Sequence, residues 1–501
     1  MALFATILIP LLGGILLAFF PAHRGREIKV FAILLSVATL FLSIVLFAAY
    51  DYSAGGFQFT QSFKWLDHPM NISFSLGMDG ISAPMVLLTG IVMFAATLIA
   101  WNIEHRPKDF LVLLLMLVAG VYGTFVSMDL FFLFFFYELA VLPMFLLIGV
   151  WGSSSDFGTF FRSKEYGAMK LTLYLVAGSV LVWVAIMAMF WASYQAGTPT
   201  FSLEELGNVE FNDSFKHFQN LFFPLVMVGF GVLAGLWPFH TWSPDGHVAA
   251  PTSVSMLHAG VLMKLGAYGI IRVGLELMPE GAETWLPVLV GLGAVNVFYG
   301  AVSAMSQTDL KYVVGYSSVS HMGYVLIGIA TLDRLGMGGA VLQMFSHGIM
   351  TALFFALVGA IYDRAHVRDV GVLEGLAKRM PMTAAFFAVA GLASLGLPGL
   401  SGFVAEFLVF VGAFKTYLPV AVIGVIGAAI TAVYILRLLA KVFFGPIRPE
   451  WEHLTDASRV ELGAAALLAF VLLFVGVWPL PLMDVINAGV IEIPGILGVS
   501  G

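Results

Sequence analysis

The sequence predicts an all-α polytopic membrane protein of about fourteen transmembrane helices. Three observations lead there. The 501 residues are 60% hydrophobic and 11% charged, whereas a soluble domain keeps roughly 25% charged residues. The apolar residues gather into runs long enough to cross a hydrocarbon core of about 30 Å. These runs are too long, and alternate too little, for the strands of a transmembrane β-barrel.

In chain order the runs fall at 2–20, 28–50, 81–101, 109–127, 129–151, 167–192, 218–242, 250–275, 285–305, 311–331, 336–362, 381–414, 418–444 and 460–482. The first begins beside Met1, and Arg24 and Arg26 follow it. It therefore reads as a retained span, not a cleaved signal. The longest connections are 51–80, 195–217, 363–380 and 445–459, too short for a soluble catalytic domain. Seventeen of the 23 lysines and arginines sit at or beside loops that follow odd-numbered spans. Five sit on the opposite side, and Lys264 falls in mid-membrane. The positive-inside rule then expects odd loops in the cytoplasm and both termini outside. The absence of cysteine excludes disulfides, cysteine-ligated zinc and iron–sulfur clusters in this chain. No glycine-rich phosphate loop follows a strand, so no nucleotide site is expected. Membrane lipid is an expected partner and nucleic acid is not.

Two spans carry helix breakers. Span seven ends in "GLWPFHTWSPDGH", and span twelve contains "LGLPGLSGF". Irregular backbone at membrane depth is tolerated only where it is buried in protein or lines a wet cavity. Paired breaks five spans apart, with "MDLFF" opening span five and "TDLKY" opening span ten, suggest an internal repeat with a site in each half.

The ionisable residues at membrane depth form a set. Glu138 is in span five, Lys264 and His258 in span eight, His321 in span ten, His347 in span eleven and Glu406 in span twelve. His240 lies near the end of span seven. A charge at mid-bilayer costs roughly 2.5–3.5 kcal/mol on insertion scales. Such groups must therefore face inward, pair, lose their charge or meet water. A lone His321 or His347 would read as a helix–helix hydrogen-bonding residue, and a lone Glu–Lys pair as structural. The whole series of carboxylate, amine and imidazole is what a proton pathway requires. His240 and His258 are the weaker members of that candidate relay. Arg437 and Lys441 fit snorkelling to the interface, and Lys170 fits the same role at the start of span six. No histidine spacing demands haem, and no metal site is expected.

These residues sit in recognisable motifs: "MDGISAPMVLLTG" (78–90), "LFFLFFFYELAVLPM" (130–144), "WPFHTWSPDGHVAAPTSVS" (237–255), "GVLMKLGAYGIIR" (260–272), "SQTDLKYVVGYSSVSHMGY" (306–324), "LQMFSHG" (342–348) and "GLPGLSGFVAEF" (396–407). The chain resembles, along nearly its whole length, the antiporter-like proton-translocating membrane subunits of respiratory complex I, most closely the subunit M type. The resemblance implies two inverted five-helix repeats, spans four to eight and nine to thirteen, with helices seven and twelve broken. Residues 1–108 would then hold spans one to three, 109–276 and 285–444 the two repeats, and 445–501 span fourteen and a tail. It implies Glu138, Lys264, His321, His347 and Glu406 as a proton relay driven by quinone reduction elsewhere. FMN, iron–sulfur clusters and quinone are implied in partner subunits, with no cofactor in this chain. Other membrane-arm subunits are the implied partners, and a bacterial inner membrane the implied location. The alternative is a subunit of a multisubunit sodium/proton antiporter, which uses the same fold and many of these motifs, or of a membrane-bound hydrogenase. A metabolite symporter is the alternative of another class. One position departs from the family. Leu233 stands where the resemblance implies a lysine opposite Glu138. His258 is an imidazole placed to compensate. It lies six residues before Lys264 and on a straight α-helix points elsewhere, toward span seven.

Overall fold

The structure is a computed structural model describing residues 2–67, 70–156, 161–209 and 213–496. The side chain of Lys216 and the end of the expected tail, 497–501, lie outside the described residues. The helices run α1 (Ala2–Ala18), α2 (Gly25–Ala49), α3 (Ser82–Ile99), α4 (Pro107–Val126), α5 (Leu130–Trp151), α6 (Lys164–Gln195), α7 (Asp213–Ala234) and α8 (Trp242–Ala249). Next comes α9, a single span over Thr252–Leu275. They continue with α10 (Pro279–Ser306), α11 (Leu310–Ala330), α12 (Arg334–Ala365), α13 (Pro381–Ser394), α14 (Ser401–Thr416), α15 (Leu418–Phe443), α16 (Arg459–Val477) and α17 (Leu480–Val490). Among the described residues, 12 helices are long and apolar enough to cross a membrane, and α1, α13 and α17 are shorter apolar helices.

Packing sorts these helices by depth in the bundle. The spans α9 and α12 are wholly enclosed by protein, and α11 nearly so. By contrast, α2 and α15 turn most of their apolar side chains outward, as spans at a lipid boundary do. Polar side chains at membrane depth therefore gather on the enclosed helices, where other protein groups meet them.

The echo "MDLFF"/"TDLKY" has a local cause. Asp129 accepts from Phe131 N at 2.9 Å and Phe132 N at 3.3 Å, capping α5. Asp309 accepts from Lys311 N at 2.8 Å and Tyr312 N at 3.3 Å, capping α11. A short carboxylate before an apolar run is a helix N-cap.

Both breaks fall where the proline–glycine stretches lie. Span seven stops at Ala234, eight residues short of the expected end, and resumes as the short helix α8. Gly235 turns the chain at φ +79, a conformation that favours glycine. Asn296 of α10 satisfies both freed ends. It donates to Gly235 O at 2.8 Å and accepts from Trp237 N at 2.6 Å. Span twelve is two helices, α13 and α14, separated at 395–400.

Three features depart from a plain bundle. The 51–80 connection holds an antiparallel hairpin, β1 (Gln58–Leu66) with β2 (Ile72–Met78). Its Trp65 stacks on Phe131 at 5.4 Å, and Phe74 meets Phe132 at 4.8 Å, so part of the phenylalanine run at the start of α5 is packing surface. The tail forms α17, which returns to the bundle so closely that a side chain at Gly80 would strike the Val485 carbonyl. And α9 is not a regular α-helix. It contains π-helical stretches at His258–Leu262 and Ile270–Leu275.

One loop contact carries a stability prediction. Asp456 reaches across to the start of α13. It accepts from Met382 N at 2.8 Å, from Thr383 N at 3.2 Å and from Thr383 Oγ1 at 2.6 Å. Burial pushes its carboxyl up, but these hydrogen bonds more than offset that and hold it below the ordinary carboxylate range. A depressed carboxyl contributes stability above its unfolded pKa and loses it as pH falls through the folded one. Asp456→Ala is expected to cost about 1 kcal/mol, the value of a helix cap. The difference from the parent should vanish in acid. Thermal scans in mild detergent at neutral and acid pH check both statements.

Candidate functional site

The enclosed helices bring four of the expected residues into one file. Lys264 of α9 donates to Ala259 O, a carbonyl in the adjoining π stretch, and its Nζ lies 2.8 Å from His347 Nδ1 of α12. The rings of His347 and His321, the latter on α11, stand 5.3 Å apart between centroids. His321 Nδ1 lies 3.2 Å from Glu406 Oε1 of α14. Lys264 is wholly buried, and even Glu406 is only 4% exposed. The file therefore runs through the protein and away from lipid.

Side chains not anticipated from the sequence complete it. Gln343 of α12 lies 3.2 Å from His321 Nδ1 and donates to Glu406 Oε1 at 3.5 Å. Ser394, the last residue of α13, holds His321 Nε2 at 3.0 Å. At the break that follows, Gly396 has no side chain. A Cβ there would stand 3.0 Å from Glu406 Oε2, so the glycine keeps room around that carboxylate. The signal for Gln343 is present in "LQMFSHG", four residues before His347 and hence on the same helix face.

The remaining expected residues sit apart from this file. Glu138 of α5 is half-buried, beside the Ser179 hydroxyl of α6, and among the described residues its Oε1 has no hydrogen-bond partner. Nearby on α5, Phe135 and Leu142 are exposed. Glu138 thus lies close to the outer face of the bundle. His258 packs elsewhere, between Trp242 and His247, with centroids at 5.1 and 3.9 Å. Among the described residues no hydrogen bond joins it to Glu138. Leu233, in the position of the absent lysine, is fully buried. His240 packs against Tyr299 at 5.1 Å, and among the described residues neither ring nitrogen has a hydrogen-bond partner.

Two lysines behave differently from what their sequence positions suggest. Lys170 does not snorkel. It turns inward to pair with Asp245 at 2.7 Å. Lys311 belongs by position to the loop-side basic residues, yet its amine is buried and donates to Ala250 O at 2.7 Å. Lysine counting locates the backbone and is blind to side-chain direction. Both lie beside a cavity of about 640 Å³ on the face that carries the basic loops. Asp245, Asp309, Tyr312, Arg162 and Arg368 line it. Arg368 pairs with Asp309 at 3.1 Å, and Tyr312 donates to Asp245 at 2.7 Å. Through Asp245 this polar vestibule borders α8.

Fold and site together define a polytopic membrane protein that carries a buried file of ionisable side chains across enclosed helices. Residues 127–431 match the family described as NADH:quinone oxidoreductase/Mrp antiporter, TM, and the chain belongs to that family. It is 38% identical over 449 residues to the NAD(P)H-quinone oxidoreductase chain 4-2 of Synechocystis sp., covering 88% of this chain and 77% of that protein. It is 35% identical over 484 residues to chain 4 of the same enzyme from Gloeobacter violaceus, covering 94% and 89%. Among solved structures it superposes on a chain of respiratory complex I from Thermus thermophilus with TM-score 0.86 and 27% identity, covering 98% and 99%. The resemblance carried by the sequence motifs is thereby borne out.

Proposed function

We propose that this chain is a proton-translocating membrane subunit of a complex I-type NADH (or related donor):quinone oxidoreductase, and that the file Lys264–His347–His321–Glu406 carries the protons. The observation that supports this reading is the file itself. It is a near-continuous run of amine, imidazole and carboxylate groups on four different helices. Each can bind and release a proton when its neighbours change charge. Protons enter through the vestibule on the basic-loop face, reach Lys264 and leave beyond Glu406. The membrane potential opposes export by about 2.3 kcal/mol per charge per 100 mV. The driving energy comes from quinone reduction in partner subunits that hold FMN, iron–sulfur clusters and quinone. Those partners are the other membrane-arm subunits.

On the same reading, Glu138 is the switch that feels the neighbouring subunit. Its place near the bundle's outer face supports that role. A charge change there shifts the proton affinity of the interior amine through Coulomb coupling across a low-dielectric medium. The two inverted repeats, the four sequence segments implied by the resemblance, a bacterial inner membrane and outward-facing termini belong to this proposal. The family description also names Mrp antiporters. The 35–38% identity to chain 4 proteins over most of the chain favours the oxidoreductase.

Glu138→Gln in the reconstituted intact complex tests the switch. The expected result is a several-fold drop in protons exported per electron. Undiminished export with normal electron transfer would remove Glu138 from the mechanism. Purification in mild detergent should retain NADH- and quinone-reactive subunits. Recovery of small antiporter subunits instead would favour the sodium/proton reading.

A further inference from the structure

Between the vestibule and Lys264 lies an arrangement that the relay above does not use. Four rings form a buried stack contributed by α8, α9 and α12. Trp242 faces His258 at 5.1 Å and 18°, His258 faces His247 at 3.9 Å and 30°, and His247 faces Phe355 at 4.8 Å and 27°. Both histidines are fully buried. Among the described residues none of their four ring nitrogens has a hydrogen-bond partner. Buried polar atoms are nearly always satisfied, so four orphans on two touching imidazoles are an exception that requires a cause. Packing alone does not supply one, since phenylalanine or leucine fills such a slot without stranding polar atoms.

We propose that His247 and His258 work as one unit that carries a single proton, on one ring or the other, and loads Lys264 from the vestibule. This rests on the proton-translocating reading given above. Three features of the geometry carry it. At 3.9 Å between rings, two imidazolium charges repel strongly, so the pair accepts one proton and resists a second. The outer faces of the stack are aromatic, and aromatic faces within about 6 Å favour a cation between them. The position is also intermediate. Lys311 of α11, bound to Ala250 O just beyond α8, interacts electrostatically with His247 from the vestibule side. Lys264, six residues farther along α9 than His258, acts on both histidines.

The charged neighbours are few. Lys264 lies on the same helix as His258. Lys311 comes from α11 and His347 from α12. Lys170 of α6 is neutralised by Asp245. The α3 segment packed against this turn of α9 has no ionisable side chain. A proton on the pair is therefore set against two amines. Its arrival lowers their proton affinity, and its departure restores it.

The test uses the intact complex in proteoliposomes and measures protons exported per electron as a function of pH. His258→Leu, His258→Phe and His247→Gln are each expected to lower the ratio several-fold and to move the pH profile by about one unit. The double variant should be no worse than the worse single, as for residues acting as one unit. Unshifted profiles in both His258 variants would reduce the pair to packing. Losses that multiply in the double variant would also overturn the shared site. Lys264→Met separates this proposal from the reading beneath it. If that variant stops export while the histidine variants change nothing, only the pair is wrong. Should the variants fail to assemble, infrared difference spectra of parent complex with isotope-labelled histidine decide. One imidazolium appearing for the pair supports the proposal, and two or none rejects it.

Discussion

Lys264→Met is expected to stop proton export driven by quinone reduction, cutting the coupled rate by at least tenfold. The argument is geometric. The Lys264 amine is the link between α9 and His347, at 2.8 Å, and no other ionisable side chain of α9 stands in that contact. Methionine fills nearly the same volume, so packing is conserved and the loss is chemical. Each tenfold in rate corresponds to about 1.4 kcal/mol on the barrier. Lys264→Arg sharpens the test. Arginine keeps the positive charge but does not release its proton in a protein. If Lys264 exchanges protons, the arginine variant fails as the methionine one does. If only its charge matters, arginine restores export. Dye-monitored proton uptake and NADH oxidation in sealed proteoliposomes, with and without uncoupler, read both. Export at parent levels in Lys264→Met would show that the file has been misassigned.

Much of this arrangement is legible in the sequence because lipid is an unforgiving solvent. A charge within an apolar run must be accommodated, so Glu138, Lys264, His321, His347 and Glu406 stand out without any knowledge of the fold. Proline and glycine at membrane depth mark the two breaks for the same reason. What escapes depends on direction, not on composition. His247 lies in "SPDGH", which reads as a loop until α8 folds it back against α9. Ser394 is an ordinary polar residue whose part emerges only where the end of α13 meets His321 of α11, whereas Gln343 is marked only by its spacing from His347. The π stretch of α9, which holds both His258 and Ala259, has no compositional signature. The straight-helix reading does turn His258 toward span seven, where the resumed part, α8, meets it.

Direction also decides the second large effect. Arg272 reads from its position as a boundary charge at the end of span eight. In the structure it is only 2% exposed, paired with Asp79 before α3 and with Glu276 at 2.5 Å just past α9. Its guanidinium also lies over Phe57 at 5.1 Å and Tyr268 at 5.2 Å. Asp79 in turn caps α3, accepting from Ser82 N at 2.9 Å, and Gly56 N donates to Glu492 at 2.6 Å nearby. The cluster therefore ties the approach to the hairpin, α3 and α9 into one joint, with the start of the hairpin held separately to the C-terminal segment. Removing one partner of a buried ion network leaves an uncompensated charge, which costs roughly 3–5 kcal/mol. Arg272→Met strands two carboxylates and is expected to cost at least that much, seen as a sharp fall in the yield and melting temperature of the assembled complex. Replacing whole buried ion networks by neutral groups is often close to neutral. The triple variant Asp79→Asn, Arg272→Met, Glu276→Gln should therefore recover most of the loss. Recovery would show that the arginine acts by neutralising its partners. If the triple variant stays as unstable as Arg272→Met, the aromatic contacts and the geometry of the guanidinium fork hold the joint, and the electrostatic account of this face is wrong.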